Sequence, residues 1–263
     1  MKCIILAGGY AKRLWPLTRY IPKPLIDIDG RSMIDRLLDK LKVVEEIDEI
    51  IVSTNKKFAY PFREWTKDNS SECGKNMELV IEPTVEEACK FGTISGINYV
   101  LGEKGMDDDY LIIAADNLFD FEIEDFIKFY KKVNAPVVAV FDVKDKAKAQ
   151  LYGIVSTDKN HRIIDFIEKP EDPPSTLAST ACYIFPKKTL TLFSEYIKEG
   201  GRKDSPGFFI QWLHRKMPVY AFTFVGNWFD VGDFESLFKA RVYMREKKDV
   251  AVHVRVKHGK NKS

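Results

Sequence analysis

No apolar run in this chain approaches the ~20 residues that a membrane span needs. The apolar stretch nearest the start, Cys3-Ile4-Ile5-Leu6, is too short for a signal peptide and runs straight into two glycines. Cysteine is scarce: Cys3, Cys73, Cys89 and Cys182 are scattered and form no Cys-x-x-Cys pair. Three of them sit among apolar neighbours, which reads as buried free thiols in a reducing cytosol, and hence as a cytoplasmic protein. An excess of one charge sign is also missing. Lys and Arg total 41 against 39 for Asp and Glu, a net charge of +2, which excludes a global nucleic-acid or membrane partner. Any affinity for phosphate must therefore be local. Internal repeats are absent.

What is present is the composition of a globular protein, with 45% apolar and 30% charged residues over 263 positions, enough to bury a full core. Apolar runs alternate with amphipathic segments. Strands are expected at Cys3–Leu6, Glu49–Ser53, Met77–Ile81, Tyr110–Ala114 and Val137–Val143. Helices are expected at Met33–Leu41, Phe91–Leu101 and Phe121–Lys132. This alternation predicts an α/β fold, a mostly parallel sheet covered by helices on both faces. The second half is mixed: a hairpin of Gly153–Thr157 and Ile163–Ile167, a strand at Ser179–Phe185, helices near Leu190–Ile197 and Phe208–Arg215, and a strand at Val219–Phe224. A last helix is expected at Phe234–Arg245, about 233–248, and a basic tail over 253–263 is expected to be disordered. The whole reads as one domain over 1–252 with one cleft across it.

The most informative stretch is Leu6-Ala7-Gly8-Gly9-Tyr10-Ala11-Lys12-Arg13-Leu14-Trp15-Pro16-Leu17-Thr18, followed by Pro22-Lys23-Pro24-Leu25. It follows a short buried strand. Two glycines bring bare backbone N–H groups close to a ligand, and Lys12, Arg13 and Lys23 add fixed positive charge. That combination suits a polyphosphate, which needs neutralising at several oxygens at once. Leu111–Asn117 then places Asp116 at the C-terminal end of a buried strand, the edge where open α/β sheets hold ligands. Asp116 is a candidate magnesium ligand; the alternative is a cap for the helix near Phe121. Asp107-Asp108-Asp109 lies at the other end of that strand and reads as a solvated loop.

These motifs resemble the sugar-1-phosphate nucleotidyltransferases, the family of glucose-1-phosphate thymidylyltransferase and its uridylyl and guanylyl relatives. Their opening pattern is Leu-Ala-Gly-Gly-x-Gly-x-Arg-Leu-x-Pro-Leu-Thr, then Pro-Lys-Pro-Leu. The resemblance implies a Rossmann-like nucleotide-diphospho-sugar transferase fold. The hexapeptide repeats of the left-handed β-helix that some relatives append are missing, so the catalytic domain alone is expected. It further implies that Arg13 and Lys23 are catalytic. Leu6, Ala7, Gly8, Gly9, Arg13, Glu82, Gly92 and Asp116 would bind the nucleotide. Gly153, Glu168, Lys169 and Thr180 would bind the sugar phosphate. Asp116 and Asp230, the latter within Gly226-Asn227-Trp228-Phe229-Asp230-Val231-Gly232, would share Mg2+. The implied partners are an NTP, with dTTP or UTP favoured, and a sugar 1-phosphate, with glucose 1-phosphate favoured. Oligomeric state stays open, a homo-oligomer included.

Some positions depart from the family pattern. Ala11, Ala115 and Ala181 stand where glycine is usual, and Glu86–Phe91 differs from the usual stretch before Gly92-Thr93. That region fits a base-reading loop or a helix N-terminus that needs small residues. Because Ala11 carries a Cβ, it is expected at negative φ, with Gly8 and Gly9 taking the unusual dihedrals. Glu168-Lys169-Pro170 read alone fits a strand-end ion pair equally well. A glycosyltransferase of related architecture is the runner-up, but it would carry Asp-x-Asp where this chain has Ala115-Asp116-Asn117. A catalytically silent binding subunit is the other alternative. A dinucleotide-dependent oxidoreductase is disfavoured, because the loop lacks Gly-x-Gly-x-x-Gly.

Overall fold

A computed structural model of the chain describes residues 1–85 and 91–259. Cys89, most of the departing stretch 86–91 and the last residues of the tail lie outside them. The sheet is built as the alternation predicts. Strands β1 (Lys2–Leu6), β2 (Glu49–Asn55), β3 (Asn76–Glu82) and β4 (Tyr110–Ala114) pair in parallel in the order β3-β2-β1-β4. A two-residue extension carries β2 to Asn55, beyond the expected end.

The other half joins through an antiparallel strand. With β5 (Asn117–Phe119), β6 (Val137–Asp142), β7 (Gly153–Thr157), β8 (Ile163–Glu168), β9 (Leu177–Phe185) and β10 (Tyr220–Phe224) in place, β9 pairs antiparallel with both β4 and β6. Strand β10 runs parallel to β6, and the β7–β8 hairpin attaches through β7 to β9. The sheet is therefore mixed and mostly parallel along its main path.

Helices cover both faces because strand residues alternate. Cys3, Ile5, Leu111, Ile113, Val137 and Ala139 pack under α1 (Met33–Leu41), α2 (Ala59–Cys73) and, once α3 (Thr93–Lys104) is passed, α4 (Ile123–Val133). Their neighbours Ile4, Tyr110, Ile112, Val138 and Val140 face α3 and, beyond the single turn α5 (Lys146–Ala149), α6 (Thr191–Lys198) and α7 (Pro206–Lys216). Helix α1 starts where Ser32 and Asp35 form a reciprocal capping box, and it buries Ile34, Leu37, Leu38 and Leu41 at helical spacing. Helix α4 puts Glu124 and Asp125 in its first turn and Lys131 and Lys132 in its last, matching the helix dipole.

Two features escape the sequence pattern. Helix α2 buries only Ala59, Phe62, Trp65 and Cys73 and ends in a polar run, so its apolar period is weak. Strands β5 and β11 (Trp228–Asp230) have three residues each and are too short for a period to register. Two expectations also need correction. Helix α8 runs Phe234–Gly259, well past the expected end near 248 and into the expected tail, since no glycine or proline interrupts it before Gly259. Asp107–Asp109 is not simply solvated: Asp109 accepts from the Tyr130 hydroxyl at 2.5 Å and the Lys187 amide at 2.8 Å. Cys3, Cys73 and Cys182 are buried free thiols. No helix among the described residues is long and apolar enough to cross a membrane.

Asp120, just after β5, ties the closing segment to the body. Its carboxylate accepts from the Asn227 amide at 2.9 Å, Asn227 Nδ2 at 3.0 Å, the Tyr243 hydroxyl at 2.6 Å and Lys247 Nζ at 2.9 Å. Gly226 passes so close, at φ +115°, that a Cβ there would lie 2.9 Å from Asp120 Cβ. Burial opposes the charge on Asp120, but the Tyr243, Lys247 and Asn227 bonds prevail and hold its pKa down to about 2. A carboxyl with a lowered folded pKa contributes stability above its unfolded value, near 4, and loses it as pH falls towards 2. Asp120→Asn is expected to cost about 2 kcal/mol at pH 7 by urea unfolding, with wild type and variant converging between pH 4 and pH 2. A difference that does not change with pH would show that the charge of Asp120 is not what holds this corner.

Candidate active site

The cleft lies outside the C-terminal ends of β1, β3 and β4, reaches across to β7, β8 and β9, and has a volume of about 550 Å³. Its floor begins with the glycine loop. Asn55 Nδ2 donates to the Gly8 carbonyl at 2.8 Å and Thr54 Oγ1 to the Ala7 carbonyl at 3.2 Å, so the end of β2 anchors the loop by its carbonyls. Among the described residues the amides of Gly8 and Gly9 donate to no protein group. A Cβ on Gly9 would touch nothing within 4 Å, and Gly9 is outside the left-handed region. Neither strain nor protein crowding demands glycine there, which leaves clearance for a ligand.

The acidic centre is made by the two-stranded β5–β11 sheet. Asp230 pairs with Asn117, and the Val231 amide donates to the Asp116 carbonyl at 3.0 Å. Residues over a hundred positions apart thus become neighbours. Lys23, buried beneath, forms an ion pair with Asp116 at 2.5 Å. Trp228 Nε1 donates to Asn117 Oδ1 at 2.6 Å while Asn117 Nδ2 donates to Asp116 Oδ1 at 2.9 Å, a relay that orients the carboxylate. Burial opposes the charge on Asp116, and Lys23 outweighs it and holds the pKa low. Asp230 is pushed up to about 6 by burial and by the charge of Asp116, against the pull of Lys23, Arg13 and Lys169. The Arg13 guanidinium lies against Gly232, where a Cβ would sit 2.9 Å from Nη2. The opening and closing motifs therefore meet directly.

On the β8 side, Glu168 ends the strand and Lys169 follows in a left-handed conformation at φ +50°. Ser205 Oγ donates to Glu168 Oε1 at 2.8 Å and also accepts the Gly207 amide at 3.3 Å, capping α7. A Cβ at Gly207 would fall 1.7 Å from Glu168 Oε2, and one at Gly153 2.7 Å from it. Glu168 is thus clamped between two glycines and a cap. On the β3 side, Glu82 lies against Gly8 and Gly96 and accepts from Ser53 Oγ at 3.0 Å. Gly92, at φ +78°, presses on the Lys203 carbonyl, with 2.5 Å left for a Cβ.

Of the residues expected in the site, Leu6, Gly8, Gly9, Arg13, Glu82, Gly92, Asp116, Gly153, Glu168, Lys169, Thr180 and Asp230 all line the cleft. Lys23 lies one contact behind, on Asp116. Ala7 is buried with both its backbone groups bonded to β2 residues, and the Thr180 hydroxyl donates to the Ala139 carbonyl at 3.0 Å. Asp116 caps no helix: α4 begins at Ile123, with Glu122 preceding it. Sequence reasoning missed Asn117, Trp228 and Ser205. The pair Ser205-Pro206 was the available signal, an N-cap followed by proline in the first turn.

The sequence model of the nucleotidyl transferases matches residues 2–247. The chain belongs to the nucleotidyl transferase family. This nucleotidyl transferase is 30% identical over 249 residues to the bifunctional protein GlmU of Methanocaldococcus jannaschii, covering 94% of the chain and 55% of that protein. It thus spans about half the length of that curated relative. Among solved structures it superposes with TM-score 0.77 on a protein of Bacillus anthracis assigned as a glucose-1-phosphate thymidylyltransferase in complex with sucrose, at 26% identity over 93% of this chain and 95% of that one. A UDP-glucose pyrophosphorylase bound to UDP-glucose shares the fold at TM-score 0.77 and 20% identity, over 94% and 98% of the two chains.

Where the transferase departs from glycine, the structure corrects the expectation. Ala11 is at φ +46°, in the left-handed region, and neither Gly8 nor Gly9 is. The strain is held by two bonds to the Ala11 carbonyl, from Thr18 Oγ1 at 2.7 Å and the Leu14 amide at 3.0 Å. Ala181 is likewise at φ +54°, whereas Ala115 is not left-handed. Relief of this strain exceeds the extra freedom glycine gives the unfolded chain. Ala11→Gly and Ala181→Gly are therefore each expected to stabilise by roughly 0.5–1 kcal/mol. Thermal denaturation reads the sign, and a lowered melting temperature in either variant would contradict the account.

Proposed function

We propose that this nucleotidyl transferase joins an NTP to a sugar 1-phosphate, releasing pyrophosphate and an NDP-sugar. The observation that carries the reading is the convergence of Asp116, Asp230, Lys23, Arg13 and Lys169 on one cleft, with free loop amides beside them. A phosphate oxygen of the sugar 1-phosphate attacks the α-phosphorus in line; the new P–O bond forms as the bond to the β-phosphate oxygen breaks. No enzyme nucleophile is required. The protein contributes position and charge. Arg13 offsets charge on the departing pyrophosphate, the Gly8 and Gly9 amides face the triphosphate, Lys23 meets developing charge from below, and Lys169 holds the sugar phosphate.

Asp116 and Asp230 are the residues that would hold magnesium, whose role is to neutralise triphosphate oxygens. The donors fit: both are carboxylates, and a hard cation that keeps several waters takes one or two of them. The Asp230 carboxylate has no hydrogen-bond or ion-pair partner among the described residues, and burial and the charge of Asp116 raise its pKa despite the pull of Lys23, Arg13 and Lys169. Glucose 1-phosphate is the acceptor favoured by resemblance to relatives named for it, and dTTP or UTP the donors favoured on the same ground.

A pyrophosphate-release screen of NTPs against glucose, mannose, galactose and N-acetylglucosamine 1-phosphates tests the reading, and turnover of at least one pair is expected. Silence of the folded protein across the panel would favour a binding subunit instead. Lys23→Ala is expected to lower turnover by about 10²–10³-fold, the scale of removing one transition-state donor. Asp116→Asn with Asp230→Asn should cost little more than either alone, because groups acting as a unit are not additive. Fully multiplicative losses would show that the two carboxylates work separately.

A further inference from the structure

Glu168 lines the cleft one position before Lys169, the cation that holds the sugar phosphate on the proposed transfer. Its side chain is half-buried, and its two oxygens are constrained differently. Oε2 lies between β7 and α7, where a Cβ on Gly153 would stand 2.7 Å from it and one on Gly207 only 1.7 Å. The glycines make room for this oxygen, and among the described residues no group donates to it. Oε1 is tied instead, by Ser205 Oγ at 2.8 Å. The last torsion of a glutamate is broad, so crowding at one oxygen leaves the carboxylate plane loosely set, and a hydrogen bond to the other fixes it.

Ser205 is equipped to give its hydrogen in one direction. A hydroxyl has a single hydrogen, and a lone pair of this one accepts the Gly207 amide at 3.3 Å as the N-cap of α7, which leaves the hydrogen for Glu168. The backbone before it is pinned through three successive carbonyls. Arg202 accepts from the Tyr196 hydroxyl at 3.0 Å, Lys203 from the Ile94 amide at 3.0 Å, and Asp204 from the Thr93 hydroxyl at 3.1 Å. Pro206 then fixes the next φ. Ser205 therefore stands on a segment braced by α3 and α6. Capping alone does not call for serine, because aspartate ranks with it at N-caps and has no hydrogen to donate.

We infer that Ser205 is a positioning residue for the sugar 1-phosphate: its hydroxyl sets the plane of the Glu168 carboxylate, so that the lone pairs left on it face the sugar hydroxyls. This rests on the proposed nucleotidyl transfer for what occupies that wall. An ionised carboxylate has about four acceptor sites, and Ser205 uses one. Sugar hydroxyls are donors at fixed spacing, and a carboxylate ordered in advance meets them without the entropy cost of being ordered on binding. Ser205 thus acts on the acceptor through Glu168 and not on the NTP.

The test is steady-state pyrophosphate release by the intact chain with magnesium, using the fastest NTP and sugar 1-phosphate pair found in the screen. Ser205→Ala is expected to raise the KM for the sugar 1-phosphate about tenfold, the scale of one hydrogen bond to a charged group, and the KM for the NTP less than about twofold. Ser205→Thr keeps the hydroxyl and should restore the wild-type values. Ser205→Asp keeps the cap but sets a second carboxylate against Glu168, and should raise the sugar KM at least as far as Ser205→Ala. With Glu168→Ala in place, Ser205→Ala should raise it no further, since the two residues act as a unit. A wild-type sugar KM in Ser205→Asp would show that capping is the whole role of Ser205. Equal rises in both KM values, or losses that multiply in the double variant, would show that it does not act through Glu168. Should Ser205→Asp fail to fold, the Ala and Thr variants and the double variant decide. Silence of the wild type overturns the transfer and this inference with it, whereas a working wild type whose sugar KM ignores Ser205→Ala overturns the role of Ser205 alone.

Discussion

Two carboxylates, Asp116 and Asp230, lie half-buried in neighbouring β5–β11 positions, and such a pair is unstable unless positive charge is brought to it. Like charges at this range each oppose ionisation of the other, and burial adds to the penalty. Lys23 meets the cost on Asp116 through a direct ion pair, and Arg13 and Lys169 contribute only partial relief to Asp230, whose pKa stays near 6. Most of the surrounding architecture follows from supplying that charge. Lys23 is placed by a 3-10 turn between Pro22 and Leu25 and is buried, an unusual condition for a lysine. Its tether is the signature segment, whose Leu14 and Ile26 pack with Met33, Leu118, Val231 and Leu237 into a small core of their own. That core joins the segment after β1 to the residues after β11.

The same small core explains why the closing motif has its form. Strand β11 contributes Asp230 only if it lies antiparallel to β5, and three-residue strands provide too few ladder bonds to hold register alone. Asp120 fixes one end of the pair by capturing Asn227, and Trp228 fixes the middle through Asn117. Gly232 fixes the other end by letting the Arg13 guanidinium lie flat against the backbone. Glycine at 226 answers to a close approach and a positive φ, and glycine at 232 to the guanidinium. The spacing of that motif is thus a record of contacts, each with an identifiable partner.

Sequence alone revealed what depends on local pattern. The buried strands have near-continuous Ile, Val and Leu, and α1 and α4 have strong apolar stripes, so both kinds of element were legible within a few residues of their ends. The charged site positions were legible through motifs. What was hidden depends on tertiary contact. Helix α2 is held by four buried side chains rather than by a stripe, β5 and β11 exist only because each has the other, and Ser205 matters because the fold sets α7 against Glu168. Ala11 was misread because chirality argues against a left-handed alanine, whereas two bonds to its carbonyl hold it there.

That misreading points to where backbone strain is kept. Seven non-glycine residues among those described have positive φ: Ala11, Asp29, Asn134, Lys144, His161, Lys169 and Ala181. Asp, Asn and His tolerate the left-handed region through their short polar side chains. Alanine and lysine do not, and of those four residues Ala11, Lys169 and Ala181 sit in or directly beside the cleft. Lys169 bears a second penalty, since the residue before proline is biased away from helical dihedrals. Each conformer is held by contacts the strain does not itself supply. The Lys169 amide donates to the Tyr152 carbonyl at 3.0 Å, and Ala181 lies beside the bulge where the β6–β9 register shifts. Lys169 and Ala181 are therefore strained where β8 ends and where β9 shifts register, and both positions line the cleft, whereas Ala11 holds the turn that follows the glycine loop.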